Sequence, residues 1–326
     1  MEQIIQILKA NQGEYVSGEQ LAQSAGITRA GVWKQISRLR EIGYLIEAAP
    51  RRGYKLLNLT KALHPFEIKA GLQTKLFGQT IDYHKETGST NLQARKLAAQ
   101  GATEGTIVLA ESQTSGRGRL GRTWSSRPGL GLWFSLILRP RISTAELAVI
   151  TVLTAVTLSR AIYRVTGIQV QVKWPNDLMY HGAKLAGILA ELNGEMDRVN
   201  YLIIGIGLNV NHGPADFPLE LRNKATSLRM IKPVDFDRKK ILQRFLEEFE
   251  ASYFGLGQQG QIAELIDYAR QHSATLGRQV TINQGFGKIL TGTALDLDWD
   301  GSLWLKNPEG QLIRVYSGEI IEASVD

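Results

Sequence analysis

Arginine and glycine alternate in one short segment of this 326-residue chain, Gly116-Arg-Gly-Arg-Leu-Gly121, and Arg122 follows directly. Between residues 112 and 141 the chain carries six arginines and no acidic residue. Glycine lets a backbone wrap closely around a ligand, and guanidinium groups bind phosphate and carboxylate groups with paired donors. The pattern predicts an anion-binding loop. The alternative interpretation is a solvated basic loop that binds nothing.

The same segment matches the GxGxxG pattern of dinucleotide-binding proteins. That mechanism requires a helix to begin directly after the glycines, so that its N-terminus faces the pyrophosphate. Residues 122–129 include Pro128 and Gly129 and cannot open a helix. The sequence therefore argues against a Rossmann-type site.

A second group of charged residues lies in Lys173-Trp-Pro-Asn-Asp177 and Lys184-Leu-Ala-Gly-Ile188. We predict that Lys184 begins a strand with its amine at the rim of a pocket, where it neutralises a carboxylate or a phosphate. Gly187 permits close approach of a ligand or a neighbouring backbone. Asp177 either orients the lysine or holds a magnesium ion. The alternative is an ordinary ion pair at the end of a strand.

The elements around these residues predict an α+β fold. Strands are expected near 81–85, 106–111, 132–138, 169–173, 184–192 and 201–210, with helices near 90–101, 144–166 and, as a pair, 236–272. His181-Gly182 and Asn193-Gly194 predict two-residue turns, which join antiparallel strands. We therefore expect a mixed or antiparallel central sheet with helices packed on it. From Gly277 onward the pattern predicts a small β-barrel.

The first sixty residues predict a winged helix-turn-helix. Ser17-Gly-Glu-Gln20 is a capping box that opens one helix, Gly26 ends it, and Thr28 caps the next. Short strands at 44–46 and 54–56 flank a basic tip. The outward face of the third helix carries Arg29, Ala30, Trp33, Lys34, Ser37, Arg38 and Arg40, and the wing carries Arg51 and Arg52. These side chains suit the major groove and the phosphates of DNA. The alternative is a helical protein-interaction domain with a solvated basic face.

Composition excludes several classes of protein. Hydrophobic residues make up 43% and charged residues 21%, as in soluble globular proteins. We find neither a signal peptide nor a continuous apolar span, and we predict a cytoplasmic protein. The chain has no cysteine, which excludes disulfides, cysteine-ligated metals and thiol nucleophiles. The net charge of +7 is concentrated, because residues 28–55 carry seven basic and two acidic side chains.

Five motifs, taken in order, resemble the bifunctional bacterial biotin protein ligases, which also repress biotin operons. They are Gly-Ser-Thr-Asn at 88–91, Glu-Ser-Gln-Thr-Ser-Gly-Arg-Gly-Arg at 111–119, Lys-Trp-Pro-Asn-Asp at 173–177, Lys-Leu-Ala-Gly-Ile-Leu at 184–189 and Gly-Ile-Gly-Leu-Asn-Val-Asn at 205–211. With the N-terminal domain they cover essentially the whole chain. We predict domains at 1–60, 66–272 and 273–326, and the resemblance implies that the last is an SH3-like barrel.

The resemblance also implies an activity in two steps. Biotin and MgATP would give biotinyl-5′-AMP, and a lysine of a biotin carboxyl-carrier protein would then take the biotinyl group. The adenylate would also act as corepressor by favouring a homodimer that binds the operator DNA of biotin-synthesis genes. Two alternatives remain: a ligand-sensing repressor without ligase activity, and a ligase for another acyl group such as lipoate.

Site residues follow from the same resemblance. The implied biotin-binding residues are Ser89, Thr90, Asn91, Gln113, Gly116, Arg117, Trp124, Lys184 and Gly187. The implied residues for ATP and the adenylate are Arg117, Gly118, Arg119, Arg122, Lys184, Asn209 and Asn211. Lys184, Arg119 and Asp177 are the expected catalytic residues, with Asp177 also the candidate metal ligand.

Overall fold

The computed structural model describes residues 1–58, 60–140, 147–195, 198–256, 259–285 and 287–323. Internal contacts divide the chain into two compact units, Met1–Glu67 and Ile68–Asp326. The first unit extends a few residues beyond the predicted boundary at residue 60. The second unit contains both the predicted ligase domain and the predicted C-terminal domain, so the boundary at residue 272 stays a prediction.

The N-terminal unit is a helix-turn-helix with a small sheet. Its elements are α1 (Glu2–Ala10), β1 (Tyr15–Val16), α2 (Gly18–Ala25), α3 (Arg29–Glu41), β2 (Leu45–Ala49) and β3 (Gly53–Asn58). Both predicted caps are present, because Ser17 Oγ accepts from Gln20 N at 3.0 Å and Thr28 Oγ1 accepts from Gly31 N at 3.1 Å. Gly26 ends α2 in the left-handed conformation, with φ of 63°. Local sequence therefore fixes the turn between α2 and α3.

The wing is a three-stranded antiparallel sheet in the order β1-β3-β2. Its first strand, only two residues long, was not predicted. The guanidinium of Arg52 lies 4.0 Å from the centroid of the Tyr15 ring, which is a cation–π contact between the wing tip and β1. The short helix α4 (Pro65–Lys69) follows, and the division between the two units falls within it.

A seven-stranded mixed sheet forms the centre of the second unit, in the order β4-β5-β6-β10-β9-β8-β7. Its strands are β4 (Ile81–Thr87), β5 (Ile107–Gln113), β6 (Gly131–Leu138), β7 (Gln171–Lys173), β8 (Asp177–Tyr180), β9 (Ala183–Glu195) and β10 (Arg198–Asn209). Strand β4 pairs with β5 in parallel, and the other pairings are antiparallel. The predicted mixed sheet is therefore confirmed.

The helices of the second unit after α4 are α5 (Thr90–Ala99), α6 (Leu147–Thr166), α7 (Leu228–Ile231), α8 (Arg238–Phe254) and α9 (Gln259–Gln271). Of these, α5, α6 and α8 pack on the sheet. Helix α6 packs against α8, α9 and the sheet. Its stretch Ala148–Thr166 is apolar and long enough to cross a membrane, but 67% of its hydrophobic window is buried inside the fold, as in a core helix. Residues 144–146 of the predicted helix lie outside the described residues.

One of the two predicted hairpin turns is wrong. His181 and Gly182 do join β8 to β9, with φ of 45° and 81°. Asn193 and Gly194, by contrast, lie within β9 and pair with Tyr201 and Val199 of β10. The extended pairing of two long strands outweighs the local turn preference of an Asn-Gly pair.

The C-terminal elements form a five-stranded antiparallel sheet in the order β14-β13-β12-β11-β15. They are β11 (Gln279–Asn283), β12 (Ile289–Leu297), β13 (Leu303–Lys306), β14 (Leu312–Val315) and β15 (Glu319–Ala323). Strands β14 and β15 are the two edges, so the described strands do not close into a barrel. The all-β prediction is confirmed, and the barrel is not.

Candidate active site

A cavity of about 600 Å³ lies in the second unit, a volume suited to a small-molecule ligand. The predicted site residues that line it are Ser89, Thr90, Asn91, Gln113, Arg117, Gly118, Arg119, Arg122, Trp124, Asp177, Lys184, Gly187 and Asn209. These residues come from separate parts of the chain, and the sheet brings them together. Gly116 and Asn211 do not line the cavity.

The indole of Trp124 rests on two glycines of neighbouring strands. Gly187 of β9 and Gly207 of β10 are cross-strand partners. A Cβ at Gly207 would lie 2.5 Å from Trp124 Cε2, and one at Gly187 would lie 3.0 Å from Cζ3. Side chains at these two positions would therefore displace the ring. Trp124 Nε1 is buried without a hydrogen-bond partner among the described residues.

Gly116 shapes the loop that carries this tryptophan. Its carbonyl accepts from Trp124 N at 2.9 Å, and a Cβ at Gly116 would lie 2.4 Å from the Trp124 carbonyl oxygen. The prediction that Gly116 contacts biotin is therefore not supported by its position. Gly116 acts on the cavity through Trp124.

A polar network surrounds the start of α5. The backbone N–H of Thr90 and its hydroxyl both donate to Gln113 Oε1, at 2.8 and 3.2 Å. Gln113 Nε2 in turn donates to Ser126 Oγ at 2.7 Å. Ser89 is the N-cap residue of α5, but its side chain makes no capping bond. Its hydroxyl is therefore the one that the network leaves available at the cavity wall.

Asn91 is tied into the sheet. Ser135 Oγ donates to Asn91 Oδ1 at 2.6 Å, and Asn91 Nδ2 donates to Glu191 Oε2 at 2.8 Å. A Cβ at Gly205 would lie 2.0 Å from Asn91 Oδ1, so the amide fills the space above a glycine of β10. Asn91 thus fixes α5 against the sheet as well as lining the cavity.

Lys184 and Asp177 form an ion pair in the cavity wall, with 2.7 Å between Lys184 Nζ and Asp177 Oδ1. The ammonium also lies 5.5 Å from the centroid of the Trp124 ring, within cation–π range. The carboxylate therefore holds the amine beside the tryptophan. This geometry matches the predicted orienting role of Asp177, and it is equally the strand-end ion pair that was the alternative.

The arginine-rich loop contacts two distant parts of the chain. Arg119 donates from Nη1 to Asn176 Oδ1 at 2.9 Å and from Nη2 to the Gly318 carbonyl at 3.0 Å. Burial lowers the pKa of its guanidinium from the ordinary value. Arg122 forms an ion pair with Glu319. These contacts hold the loop between the residue before β8 and the C-terminal sheet. Arg117 of the same loop is exposed.

Sequence reasoning missed the residues that hold this loop. Asn176 lies within the Lys-Trp-Pro-Asn-Asp motif, so its neighbours pointed to it; its Nδ2 donates to the Ile188 carbonyl at 2.8 Å. Gly318 and Glu319 carried no comparable indication, because their contacts join residues about two hundred positions apart.

Asn209 and Asn211 have different surroundings. Asn209 lines the cavity, and its Nδ2 donates to the Thr226 carbonyl at 3.0 Å. Asn211 exchanges two hydrogen bonds with the Phe236 backbone, at 3.0 and 2.9 Å. Its amide is used to hold the chain ahead of α8, so its predicted contact with the adenylate is not supported.

Phe217 was missed as a lining residue. It faces the cavity and stacks on His212, with ring centroids 4.9 Å apart and 21° between planes. Burial lowers the pKa of His212 to about 4, so the imidazole is neutral at pH 7. Phe217 therefore offers an aromatic side chain in the same cavity as Asn209.

The residues do not form a protein-built metal site. Among the described residues there is no group of three or more histidine or acidic side chains able to hold a metal ion. Asp177 is paired with Lys184, and the other carboxylate lining the cavity, Glu319, is paired with Arg122. A magnesium ion would therefore depend on the phosphates of a nucleotide for most of its ligands.

The N-terminal unit presents the predicted DNA-binding face. The exposed members are Arg29, Ala30, Trp33, Lys34 and Arg38 of α3 and Arg51 and Arg52 of the wing, and Ser37 is half-buried. Arg40 is exposed as well, and its guanidinium also donates twice to the Ile46 carbonyl, at 2.9 and 2.8 Å. Arg40 therefore fastens α3 to β2 while it stays on the outward face of the helix.

Comparisons with known proteins agree with this geometry. Three family models match: a helix-turn-helix domain over residues 1–55, the biotin/lipoate A/B protein ligase family over 83–209 and the biotin protein ligase C-terminal domain over 275–321. Among solved structures, the biotin protein ligase from Aquifex aeolicus in complex with biotin and ATP has a TM-score of 0.64 at 31% identity. The match covers 76% of this chain and 100% of that one.

Two curated relatives match along nearly their whole length. The bifunctional ligase/repressor BirA of Escherichia coli (strain K12) is 28% identical over 94% of this chain and 93% of its own. BirA of Bacillus subtilis (strain 168) is 40% identical over 319 residues, which cover 97% of each chain. With this identity, and with matches to the helix-turn-helix, ligase and C-terminal family models, the chain belongs to the family of bifunctional biotin protein ligases and repressors.

Proposed function

We propose that the protein joins biotin to ATP to make biotinyl-5′-AMP and transfers the biotinyl group to a lysine of a biotin carboxyl-carrier protein. The observation that carries this proposal is the single cavity in which Trp124, Lys184 and Arg119 converge. An apolar ring flanked by cations suits a ligand that is apolar at one end and anionic at the other.

The first step joins two anions. An oxygen of the biotin carboxylate attacks the α-phosphorus of ATP, and pyrophosphate leaves. The protein lowers this barrier by holding the reactants together and offsetting their repulsion. Lys184, which Asp177 holds at 2.7 Å, and Arg119 supply the positive charge. Ser89 and the Thr90–Gln113 pair, which line the same cavity as Trp124, are the proposed partners of the biotin ureido group.

The second step consumes the mixed anhydride. The acceptor lysine amine attacks the anhydride carbonyl, a proton leaves the amine, and AMP departs. The chain has no cysteine, so it offers no thiol for a thioester intermediate, and transfer is direct. Arg119, bonded to both Asn176 and Gly318, lies where it covers the adenylate until the acceptor arrives.

Asn209, Phe217 and the exposed Arg117 are the proposed nucleotide contacts. Mg²⁺ would enter with the ATP phosphates, where it supplies charge neutralisation. The Asp177 carboxylate, already paired with Lys184, remains the candidate for one protein ligand.

The repressor half of the proposal rests on the N-terminal unit. Its exposed basic face would bind the operator of biotin-synthesis genes as a homodimer that forms when the adenylate binds. The family and the buried position of α6 support a cytoplasmic location without a membrane partner. We also propose that the C-terminal sheet is an SH3-like module, since its five short antiparallel strands fit that architecture.

Incubation with ATP and radiolabelled biotin or lipoate tests the enzyme. We expect an adenylate from biotin alone, and labelling of purified carrier protein after its addition. Lys184→Gln should abolish adenylate formation, whereas Lys232→Gln, at an exposed lysine outside the cavity, should not. An adenylate from lipoate alone would reassign the acyl group, and biotin binding without adenylate would leave only a ligand-sensing repressor. Gel shifts on the organism's biotin-synthesis promoter, with and without biotin and ATP, test repression.

A further inference from the structure

Trp33 is the most unusual member of the DNA-binding face. It lies on α3 with 63% of its surface exposed, whereas Val32, Ile36 and Leu39 of the same helix are completely buried. The ring therefore takes no part in the core of the N-terminal unit. A large aromatic side chain gains much from burial, and this one can gain it only from a contact outside the unit's own core.

Two arginines on the same helix as Trp33 already make contacts within the N-terminal unit. Arg40 is bound to the Ile46 carbonyl, and Arg29 forms an ion pair with Glu19 at 2.6 Å. Arginine is the usual partner of guanine in the major groove, so these two contacts reduce the capacity of α3 for guanine. On the first half of the helix, Ala30, Trp33 and Lys34 are then the exposed side chains that bind no other side chain or backbone group in the described part of the chain. Two of these three are apolar.

The major groove offers one prominent apolar group, the C5-methyl of thymine. The surroundings of Trp33 are cationic, with Lys34 and Arg38 on α3 and Arg51 and Arg52 on the wing. This charge favours a phosphate-bearing partner over a second apolar protein surface. We propose that Trp33, with Ala30, recognises thymine methyl groups in each operator half-site. The proposal rests on the DNA-binding function proposed above and specifies the bases that this face recognises.

The experiment uses the full-length protein with biotin and ATP. A pool of random-sequence duplexes is first enriched for binding, and the selected site is then synthesised with deoxyuridine in place of single thymines. This change removes only the methyl group. For wild type we expect about fourfold weaker binding for each methyl that Trp33 buries. Trp33→Ala should bind the thymine and uracil forms of these positions equally, and Trp33→Phe should keep part of the preference.

Two control variants separate this role from general effects. Trp299→Ala removes another exposed tryptophan, 58% accessible, from the turn between β12 and β13, and it should keep the wild-type preference for thymine. Lys34→Ala should weaken all duplexes alike and lower the salt dependence by about 0.9 log unit per log unit of salt. Trp33→Ala should leave that slope unchanged. Its melting temperature should match the wild type, because the side chain is exposed.

A thymine preference that survives Trp33→Ala overturns the proposal, as does a selected site in which no thymine responds to uracil. Loss of oligomerisation in Trp33→Ala with an intact thymine preference would assign the ring to a protein contact instead. If the wild type selects no sequence at all, the proposed repressor function fails, and the inference fails with it. Selection without a role for Trp33 defeats the inference alone.

Discussion

We expect Arg119 to hold the adenylate intermediate in the cavity. It donates to Asn176 and to the Gly318 carbonyl, so its removal would break both hydrogen bonds and free the loop that lines the cavity. We expect Arg119→Ala to release the adenylate, which then labels lysines of unrelated proteins. The measurement is biotinylation of a bystander such as serum albumin during turnover.

Arg229→Ala is a matched control for that release, because Arg229 lies outside the cavity in an exposed ion pair with Asp235. It should retain the adenylate as the wild type does. Asn176→Ala should release it too, though less, since the Gly318 contact remains. Unchanged retention in Arg119→Ala would contradict the role that we give to this residue.

Much of the residue-level chemistry could be predicted from the sequence. Lys184, Asp177 and Arg119 stand in motifs whose residue types limit their chemistry, and the cavity contains all three. The prediction for Asn211 lacks support because its amide is bonded to the Phe236 backbone, a partner that spacing alone does not reveal. The contact of Arg40 with Ile46 was missed for the same reason, since its partner is a backbone carbonyl of the wing.

At the scale of elements, β9 and β10 form the surface on which the Trp124 ring packs. Gly207→Ala would place a methyl group 2.5 Å from Trp124 Cε2 and force the indole to move. We expect biotin affinity to fall by about tenfold or more, because overpacking of this kind typically costs 1–3 kcal/mol. Isothermal titration of biotin, with a thermal melt to confirm folding, gives the measurement.

Gly260→Ala provides the comparison for that substitution, because no described atom outside its own stretch of α9 lies within 4 Å of a Cβ at this position. It should leave biotin affinity unchanged. If the Gly207→Ala variant bound biotin as tightly as the wild type, the position of the Trp124 ring would not depend on glycine at residue 207.

Element boundaries were predictable where short-range chemistry decides them. Ser17 and Thr28 cap their helices through residues three positions away, so the sequence alone located both starts. The end of β9 was not predictable, because the pairing of Gly194 with Val199 depends on two complete strands. The same applies to β15, which pairs with β11 from about forty residues away.

At the scale of the whole molecule, the buried His212 makes stability depend on pH. Its pKa is lowered by burial to about 4, so folding excludes a proton that the unfolded chain binds below its ordinary pKa of about 6.5. The contribution of His212 to the free energy of unfolding is complete above about pH 6.5. It is lost as the pH falls toward 4, by roughly 3 kcal/mol in all. Urea titrations at several pH values measure the loss.

His212→Gln, which cannot titrate, isolates this contribution from that of the carboxylates. The free energy of unfolding of the wild type should fall more steeply than that of the variant between pH 6.5 and pH 4. Parallel curves over this range would show that His212 is not the group responsible.

The two units should also separate by function. The core of the second unit includes β6, whose eight residues are all buried, and lies within residues 68–323, so deletion of residues 1–60 should leave adenylate formation intact. Operator binding should disappear. In the full-length protein it should weaken with salt by about 0.9 log unit per phosphate contact. Gel shifts at several salt concentrations measure both, and DNA affinity in the truncated protein would contradict our placement of the DNA-binding face.

The hydrogen bond between Arg119 and the Gly318 carbonyl has a consequence for protein synthesis. Arg119 and Gly318 are separated by 199 positions, so at 5–20 residues per second the ribosome makes the loop roughly 10 to 40 seconds before it makes the carbonyl that holds it. A nascent chain that has grown beyond Gly207 already contains Lys184 and both glycines that contact Trp124, but until Gly318 is made it lacks the carbonyl that Arg119 binds. Ribosomes stalled between residues 207 and 318 would therefore display an enzyme that releases its adenylate. Retention of this reactive intermediate would begin only when translation has passed Gly318.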